Sequence, residues 1–395
     1  MTHALNRVMS RDFSRGLRTS LALCFALVAG CRGVSSSSSD AGLMKLAVVF
    51  DDSMGQASLG MEAKRGAMMA IEEARSSDFR AVYCGDAGAA DAARDAVAAI
   101  GFTDSDELRE VLPAFAAAGT PVMVAGATDP CLAKLAGGEL LSFACFSDPM
   151  QGAAMAEFAH DRLAARRAVV MFDAKSEFAR AVGAAFTTSF RGLAESDATV
   201  IAFSGDFAQE VERAVAKSPN VVYVAALPQD ASRIIEALRA RGFKGAALGP
   251  DSFDEPSIFA ARNLGAVYYS THAWLAGRGE PAIDAFVARY RAKFDGMEPT
   301  AFAALGYDAT RMAIAALERA KTGGTVTRAT VARAMHESGS FDGISGAIAA
   351  GAAERFPSKA VWIVETGTES ARGGRQLASR WEPTHVPDAA CGKAH

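Results

Sequence analysis

Histidine, tryptophan and any excess of positive charge are what this chain has little of. Its 395 residues include six His and three Trp. The histidines are scattered and no cysteine pair has zinc-finger spacing, so neither a metal site nor a cofactor is implied. No Gly-x-Ser-x-Gly elbow and no Ser/His/Asp grouping with a structural context occurs, so the chain is read as a non-enzyme. Lys and Arg number 41 against 45 Asp and Glu, a net charge of −4. That balance argues against nucleic acid or anionic lipid as the main partner. Beyond the first thirty residues no apolar run approaches the ~20 residues that cross a bilayer. Half of all residues are hydrophobic, so the rest of the chain is expected to be globular, with length enough for two lobes.

The first thirty residues read as an export signal. Arg7, Arg11, Arg15 and Arg18 make a basic opening, and Leu21–Ala29 is uncharged and apolar but too short to span a membrane comfortably. The run ends in Val28-Ala29-Gly30-Cys31, which looks like a bacterial lipobox, where the cysteine thiol takes a diacylglyceryl group and the chain is cut just before it. Residues 1–30 are thus expected to be a lipoprotein signal peptide and Cys31 the lipidation site. Residues 31–43 are Ser-rich and polar, a flexible tether. Removing the signal takes away four Arg and one Asp, leaving 37 basic against 44 acidic residues and a mature net charge of −7. Arg32, where Asp would signal retention at the inner membrane, somewhat favours the outer one. Cys84, Cys131, Cys145 and Cys391 then remain for disulfides in an oxidising compartment. Cys131 and Cys145 are the expected pair, closing a loop of about fifteen residues worth ~3 kcal/mol in the chain-entropy model. The pairing of Cys84 and Cys391 stays open.

From Met44 the pattern alternates short apolar runs with helical periodicity. Strands are expected at Leu46–Phe50, Phe79–Cys84, Val97–Phe102, Pro121–Ala125, Ala168–Phe172, Thr199–Phe203, Val221–Ala225, Gly245–Leu248, Ile344–Ala349 and Ala360–Glu365. Helices are expected at Glu62–Ala74, Met150–Leu163, Phe178–Leu193, Phe207–Lys217, Asp230–Arg241, Ala282–Asp295, Ala301–Lys321 and Arg328–Glu337. Repeated strand–helix units give parallel sheets covered on both faces, and two such series, before and after about residue 147, predict two α/β lobes. After Gly373 the tail reads as polar and irregular. Ligands of such lobes bind at the carboxyl ends of the strands, which here means Asp51–Met54, Thr103–Asp106, Ala127–Asp129, Asp173–Phe178, Ala226–Pro228 and Asp251–Phe253.

Three stretches carry a resemblance to a known family. They are Gly126-Ala127-Thr128-Asp129-Pro130 with Cys145-Phe146-Ser147-Asp148-Pro149-Met150-Gln151-Gly152; Pro299 to Ala309 (PTAFAALGYDA); and Phe341-Asp342-Gly343-Ile344-Ser345-Gly346. Gly66-Ala67 in the first helix also fits. In order and spacing the chain resembles the type I periplasmic solute-binding proteins of leucine/isoleucine/valine-binding type, which serve branched-chain amino-acid ABC transporters. The resemblance implies an α/β fold of two doubly wound parallel-sheet lobes joined by three hinge crossovers. Lobe one would be 44–146 plus 275–338, lobe two 147–274 plus 339–382, and 383–395 a tail.

It also implies a cleft that closes on a small amino acid or similar zwitterion. Ser105 falls at the family's carboxylate-binding serine; the residues alone also allow a cap for a helix starting near Glu107. Thr128 matches a donor to the carboxylate, and the Ala127 carbonyl an acceptor for the ammonium. Asp251 matches the acid that pairs with the ammonium, one methylene shorter than the usual Glu. Phe178 fits a cleft aromatic or a core residue of its helix, and Leu227 a position often aromatic. Tyr307 and Asp308 read as structural. The crossover Asp86–Ala96 is short, implying a two-turn helix or a rearranged edge. The expected partners are the small-molecule ligand, ABC permease subunits and a membrane reached through the lipid anchor. An alternative is a non-transport envelope lipoprotein that uses the fold to bind a protein such as a peptidoglycan synthase.

Overall fold

The computed structural model describes residues 43–50, 56–76, 78–255, 264–349, 355–366, 375–389 and 391. The export signal, Cys31, the tether and the strand-end loop Asp51–Met54 lie outside them. No described helix is long and apolar enough to cross a membrane.

The first sheet holds five parallel strands in the order β2-β1-β3-β4-β5: β1 Met44–Val49, β2 Phe79–Cys84, β3 Ala98–Gly101, β4 Val122–Val124 and β5 Leu141–Phe143. Helices α1 Ala57–Ala74, α2 Ala89–Asp95 and α3 Ser105–Ala118 connect them. The short crossover is settled as a 3-10 turn at Asp86–Gly88 followed by the seven-residue α2, and β2 keeps its place at the edge. Strand β5, unmarked in the sequence reading, has three residues, too few to show a period.

The second sheet has seven strands, β14-β13-β10-β9-β8-β6-β7. They are β6 Arg167–Asp173, β7 Asp197–Phe203, β8 Val221–Ala225, β9 Ala246–Gly249, β10 Val267–Thr271, β13 Val361–Thr366 and β14 Arg375–Trp381, the last two antiparallel to their neighbours. Strands alternate their side chains between faces. Val169 and Met171 of β6 therefore enter the core under α6 Ala208–Ala216 and α7 Pro228–Ala240. Ala168 and Val170 enter the one under α4 Asp148–Asp161 and α5 Glu177–Gly192. The end of the chain is thus not wholly irregular: β14 pairs along β13 across a bulge at Ile363/Val364, and its mixed burial explains why no alternation showed.

Helices α8 Pro281–Lys293, α9 Ala301–Thr322 and α10 Arg328–His336 return to lobe one. The hairpin β11 Ser340–Gly343 with β12 Gly346–Ala349 goes with them, because Phe341 and Ile348 pack into the first core. Phe356 stacks on Phe143 at 3.9 Å. The chain therefore re-enters lobe two at about Lys359, and not at 339, since the hairpin's apolar residues find their cover on lobe one.

Helices α1 and α9 approach closely because each offers a glycine. A Cβ at Gly66 would sit 1.9 Å from the Ala303 carbonyl oxygen, and one at Gly306 1.9 Å from that of Ala63. Both obstacles are backbone, so neither helix can yield by a rotamer change. Gly66→Ala is expected to destabilise the domain by about 1–3 kcal/mol, the usual range for overpacking. Urea unfolding measures it, and an unchanged midpoint would mean the helices part without cost.

Candidate functional site

The lobes meet where strand ends of both sheets face the crossovers. The residues there are polar and almost wholly buried. Asp148, the first residue of α4, follows directly on the first crossover and is fully buried. Thr128, after β4, donates its hydroxyl to Asp148 Oδ1 at 2.7 Å, and its carbonyl accepts the Asp148 N–H at 2.9 Å. One turn along α4, Gln151 donates through Nε2 to Asp148 Oδ1 at 2.9 Å and to Asp251 Oδ1 at 3.0 Å. Its Oε1 accepts the Asp251 N–H at 3.0 Å and the Ser270 hydroxyl at 2.8 Å. His272, immediately after β10, donates Nε2–H to Asp251 Oδ2 at 2.9 Å. Its ring stacks on Phe146 at 3.7 Å and meets Phe302 edge-on.

Burial governs the protonation of these groups. It lowers the His272 pKa, so the ring is neutral, and the Asp251 contact fixes its proton on Nε2. Burial, then the neighbouring Asp129 and Asp251 carboxylates, raise Asp148 well above the usual carboxylate range. Asp148 Oδ2, His272 Nδ1 and Tyr223 Oη are among the eight buried side-chain polar atoms of the described residues that have no hydrogen-bond partner. Among the described residues no cluster of His, Cys, Asp and Glu could hold a metal.

A second polar group ties the crossovers together. Asp308 of α9 accepts the Ile344 N–H at 2.9 Å, the Ser345 N–H at 2.7 Å and the Ser345 hydroxyl at 2.6 Å. Lys359, buried at the third crossover, donates to Ser345 Oγ and to the Ala144 carbonyl of the first. Burial pushes its pKa down to about 8, against the attraction of Asp308. Tyr307 donates to Glu73 of α1.

The residues expected from the sequence divide. Thr128 and Asp251 sit together through Asp148 and Gln151. Ala127 is beside them, its carbonyl accepting the Cys145 thiol at 3.4 Å. Ser105 is one step away: its hydroxyl accepts the Asp129 N–H at 3.2 Å. It is not the cap of α3. Asp104 is, accepting the N–H groups of Asp106 at 2.8 Å and Glu107 at 3.3 Å. The N-terminus of α3 is thus already met by a carboxylate of its own. Phe178 does not join the group. Its side chain is buried in the core of lobe two with Met155 and Val182, while its backbone N–H donates to Asp106. Leu227 is the residue before α7, half-buried at the end of β8.

The disulfide expectation is corrected. Cys131 pairs with Cys391, and Cys84 and Cys145 are both buried thiols. β5 carries Cys145 inward to the first crossover, whereas Cys131 sits in a 3-10 turn at Pro130–Lys134, within reach of the tail. Closeness in sequence was a poor guide because the strand between them takes one cysteine inside.

Asp148, Gln151 and His272 were not singled out in the sequence. The first two lie in the stretch that carries the resemblance, three apart on one helix face. The strand before His272 (VYYST) has β-branched and aromatic residues that would have placed it.

Away from the crossovers, α3 and α5 also bridge the lobes. Ser176, the cap of α5, donates to Asp106 Oδ2 of α3 at 2.8 Å, and the Phe178 N–H points at the same carboxylate. A lobe-one acid therefore sits on a lobe-two helix N-terminus, whose donors favour its charge while burial pushes its pKa up on balance.

Against known proteins, the family model described as periplasmic binding protein matches residues 44–373. The chain belongs to this family. It is accordingly a type I solute-binding protein of the space outside the cytoplasm, and not an enzyme. Among solved structures it is similar to a leucine binding protein from Thermotoga maritima, with 25% identity over 86% of this chain and 99% of that one and a TM-score of 0.77. A branched-chain amino acid binding protein from Streptococcus pneumoniae, solved with isoleucine, is 21% identical over 86% and 100% at a TM-score of 0.72. A solute binding protein from Rhodopseudomonas palustris, solved with benzoate, is 19% identical over 89% and 100% at 0.71. A search of curated proteins finds no match.

The Asp104 cap has a measurable pH signature. Burial, then Asp106 and Glu107, push its pKa up to about 6. Its ionised form is thus less stable folded than unfolded, and stability is lost as pH rises from the unfolded value near 4 through 6. Asp104→Asn keeps a cap without the charge. It is expected to gain about 1–3 kcal/mol at pH 8 and nothing at pH 4. Thermal melts of both proteins at the two pH values check this, and an equal effect at both would refute the electrostatic origin.

Proposed function

We propose that this chain is a lipid-anchored solute receptor that closes its interlobe cleft on a small amino acid or similar zwitterion and delivers it to the permease subunits of an ABC importer. Similarity at 25% identity to a leucine binding protein, over nearly the whole of both chains, supports the ligand class. The lipobox-like Val28–Cys31 and the Ser-rich stretch after it support the anchor.

The observation that carries the ligand reading is Asp148. Asp251, the acid expected to meet the ammonium, has both oxygens engaged by Gln151 and His272. Asp148 has Oδ1 engaged and Oδ2 buried without a partner. A buried carboxylate among other carboxylates holds a proton or takes a cation, because an unneutralised buried charge costs several kcal/mol. A ligand ammonium replaces that proton. Ser105, Thr128 and Ala127 stand on the same side of lobe one, and Leu227 supplies an apolar edge from lobe two. Arg32 after Cys31 favours the second reading, an outer-membrane lipoprotein that binds an envelope protein.

Calorimetric titration of the folded domain against amino acids and benzoates is expected to give binding for ammonium-bearing ligands. Ligand entry expels the Asp148 proton, so affinity should rise with pH up to the pKa of the empty receptor, by as much as about tenfold per unit. Asp148→Asn should weaken binding by about 100-fold, the cost of one charge-assisted contact. Binding of benzoates alone, or unchanged affinity in the variant, would overturn the zwitterion reading. Silence across the panel, with envelope enzymes and no permease recovered by pull-down, would favour the second.

A further inference from the structure

The chain does not end within lobe two. After β14 it lies along α4, where Glu157, 5% exposed, gathers four donors. Trp381 Nε1 reaches its Oε2 at 2.8 Å. The Thr384 N–H, the Thr384 hydroxyl and the His385 N–H reach its Oε1 at 2.8, 2.6 and 3.3 Å. The Trp381 ring packs edge-on against Phe158 of the same helix. The segment is thereby fixed to lobe two as far as His385. Six residues later, Cys391 is bonded to Cys131 in the Pro130–Lys134 turn of lobe one, 260 positions earlier in the chain.

We propose that this disulfide makes the C-terminal segment a covalent strap that limits how far the two lobes open. The three crossovers join the lobes at the buried hinge, whereas the strap joins them beside the contact between α3 and α5. Pro387, Asp388 and Cys391 line a cavity of about 740 Å³ together with Arg109 of α3 and Glu177 of α5. Arg109 is one helical turn from Asp106, and Glu177 is next to Ser176. A motion that parts Asp106 from Ser176 therefore pulls Cys131 away from the Glu157 anchor. Fully extended, the six residues from Val386 to Cys391 reach about 20 Å. Opening beyond that length must break the four hydrogen bonds on Glu157. The bond forms in an oxidising compartment, so the limit comes into force after export.

The inference holds for any ligand, and its test uses the ligand-free protein. Cys391→Ser should raise the radius of gyration in small-angle scattering and speed hydrogen exchange of the Phe178 amide, which the Asp106 contact covers, by about tenfold or more. Losing so long a cross-link also lowers global stability. A second variant therefore keeps the disulfide and inserts four Gly/Ser residues after Val386, a change that loop-closure entropy scarcely registers. The longer strap should reproduce both effects with an unchanged melting temperature. A lengthened strap indistinguishable from the parent in scattering and exchange would overturn the proposal, whether or not Cys391→Ser differs, and would leave the disulfide a stabilising cross-link alone.

Discussion

The side-chain amide of Gln151 has two donor and two acceptor positions, and the fold fills all four. Much of the lobe junction depends on that one group. Through it the start of α4, the end of β9 and the last residues of β10 are held in one register. α4 begins right after the first crossover and β10 ends right before the second. A buried amide tolerates no half-made arrangement, since each unmet donor or acceptor keeps its full desolvation cost. The geometry on which the lobes turn is thereby set by a side chain with no charge.

Four of the five buried aspartates among the described residues are met in four ways. Asp308 is met by two backbone N–H groups, a hydroxyl and the nearby Lys359 ammonium. Asp254 is met by Arg375 and Thr271. Asp251 is met by Gln151 and His272. Asp148 alone keeps an oxygen without a partner among the described residues. The first three have both oxygens engaged by the protein's own donors. The fourth has a buried oxygen without a partner, and a cationic group on the ligand is therefore proposed to meet Asp148 and not Asp251.

The lobes and most of their elements were legible in the sequence because buried parallel strands are apolar throughout and their helices amphipathic. Elements that lack either signature were missed, such as β5 with three residues, β14 with its half-exposed face, and β11, the first strand of the hairpin that covers lobe one. The site was read in part. Thr128 and Asp251 could be placed by the motifs around them, and they do meet at the junction. Ser105 turned out to be engaged by Asp129, and Phe178 turned into the core of lobe two. In the register of a strand-to-helix turn, one residue's difference sends a side chain to the other side.

By itself the sequence determined the fold class, the two-lobed division, the exclusion of obvious catalytic machinery and the family, because these rest on local periodicity and on motifs whose spacing survives in one dimension. Only the tertiary structure decided which charges are already spent and which cysteines meet. Asp251 already accepts from Gln151, 100 positions away, and from His272. Cys131 finds Cys391 across 260 positions and passes over Cys145, fourteen residues on. Such pairings are settled by which surfaces pack together once both lobes are formed, and a distance along the chain carries no information about that.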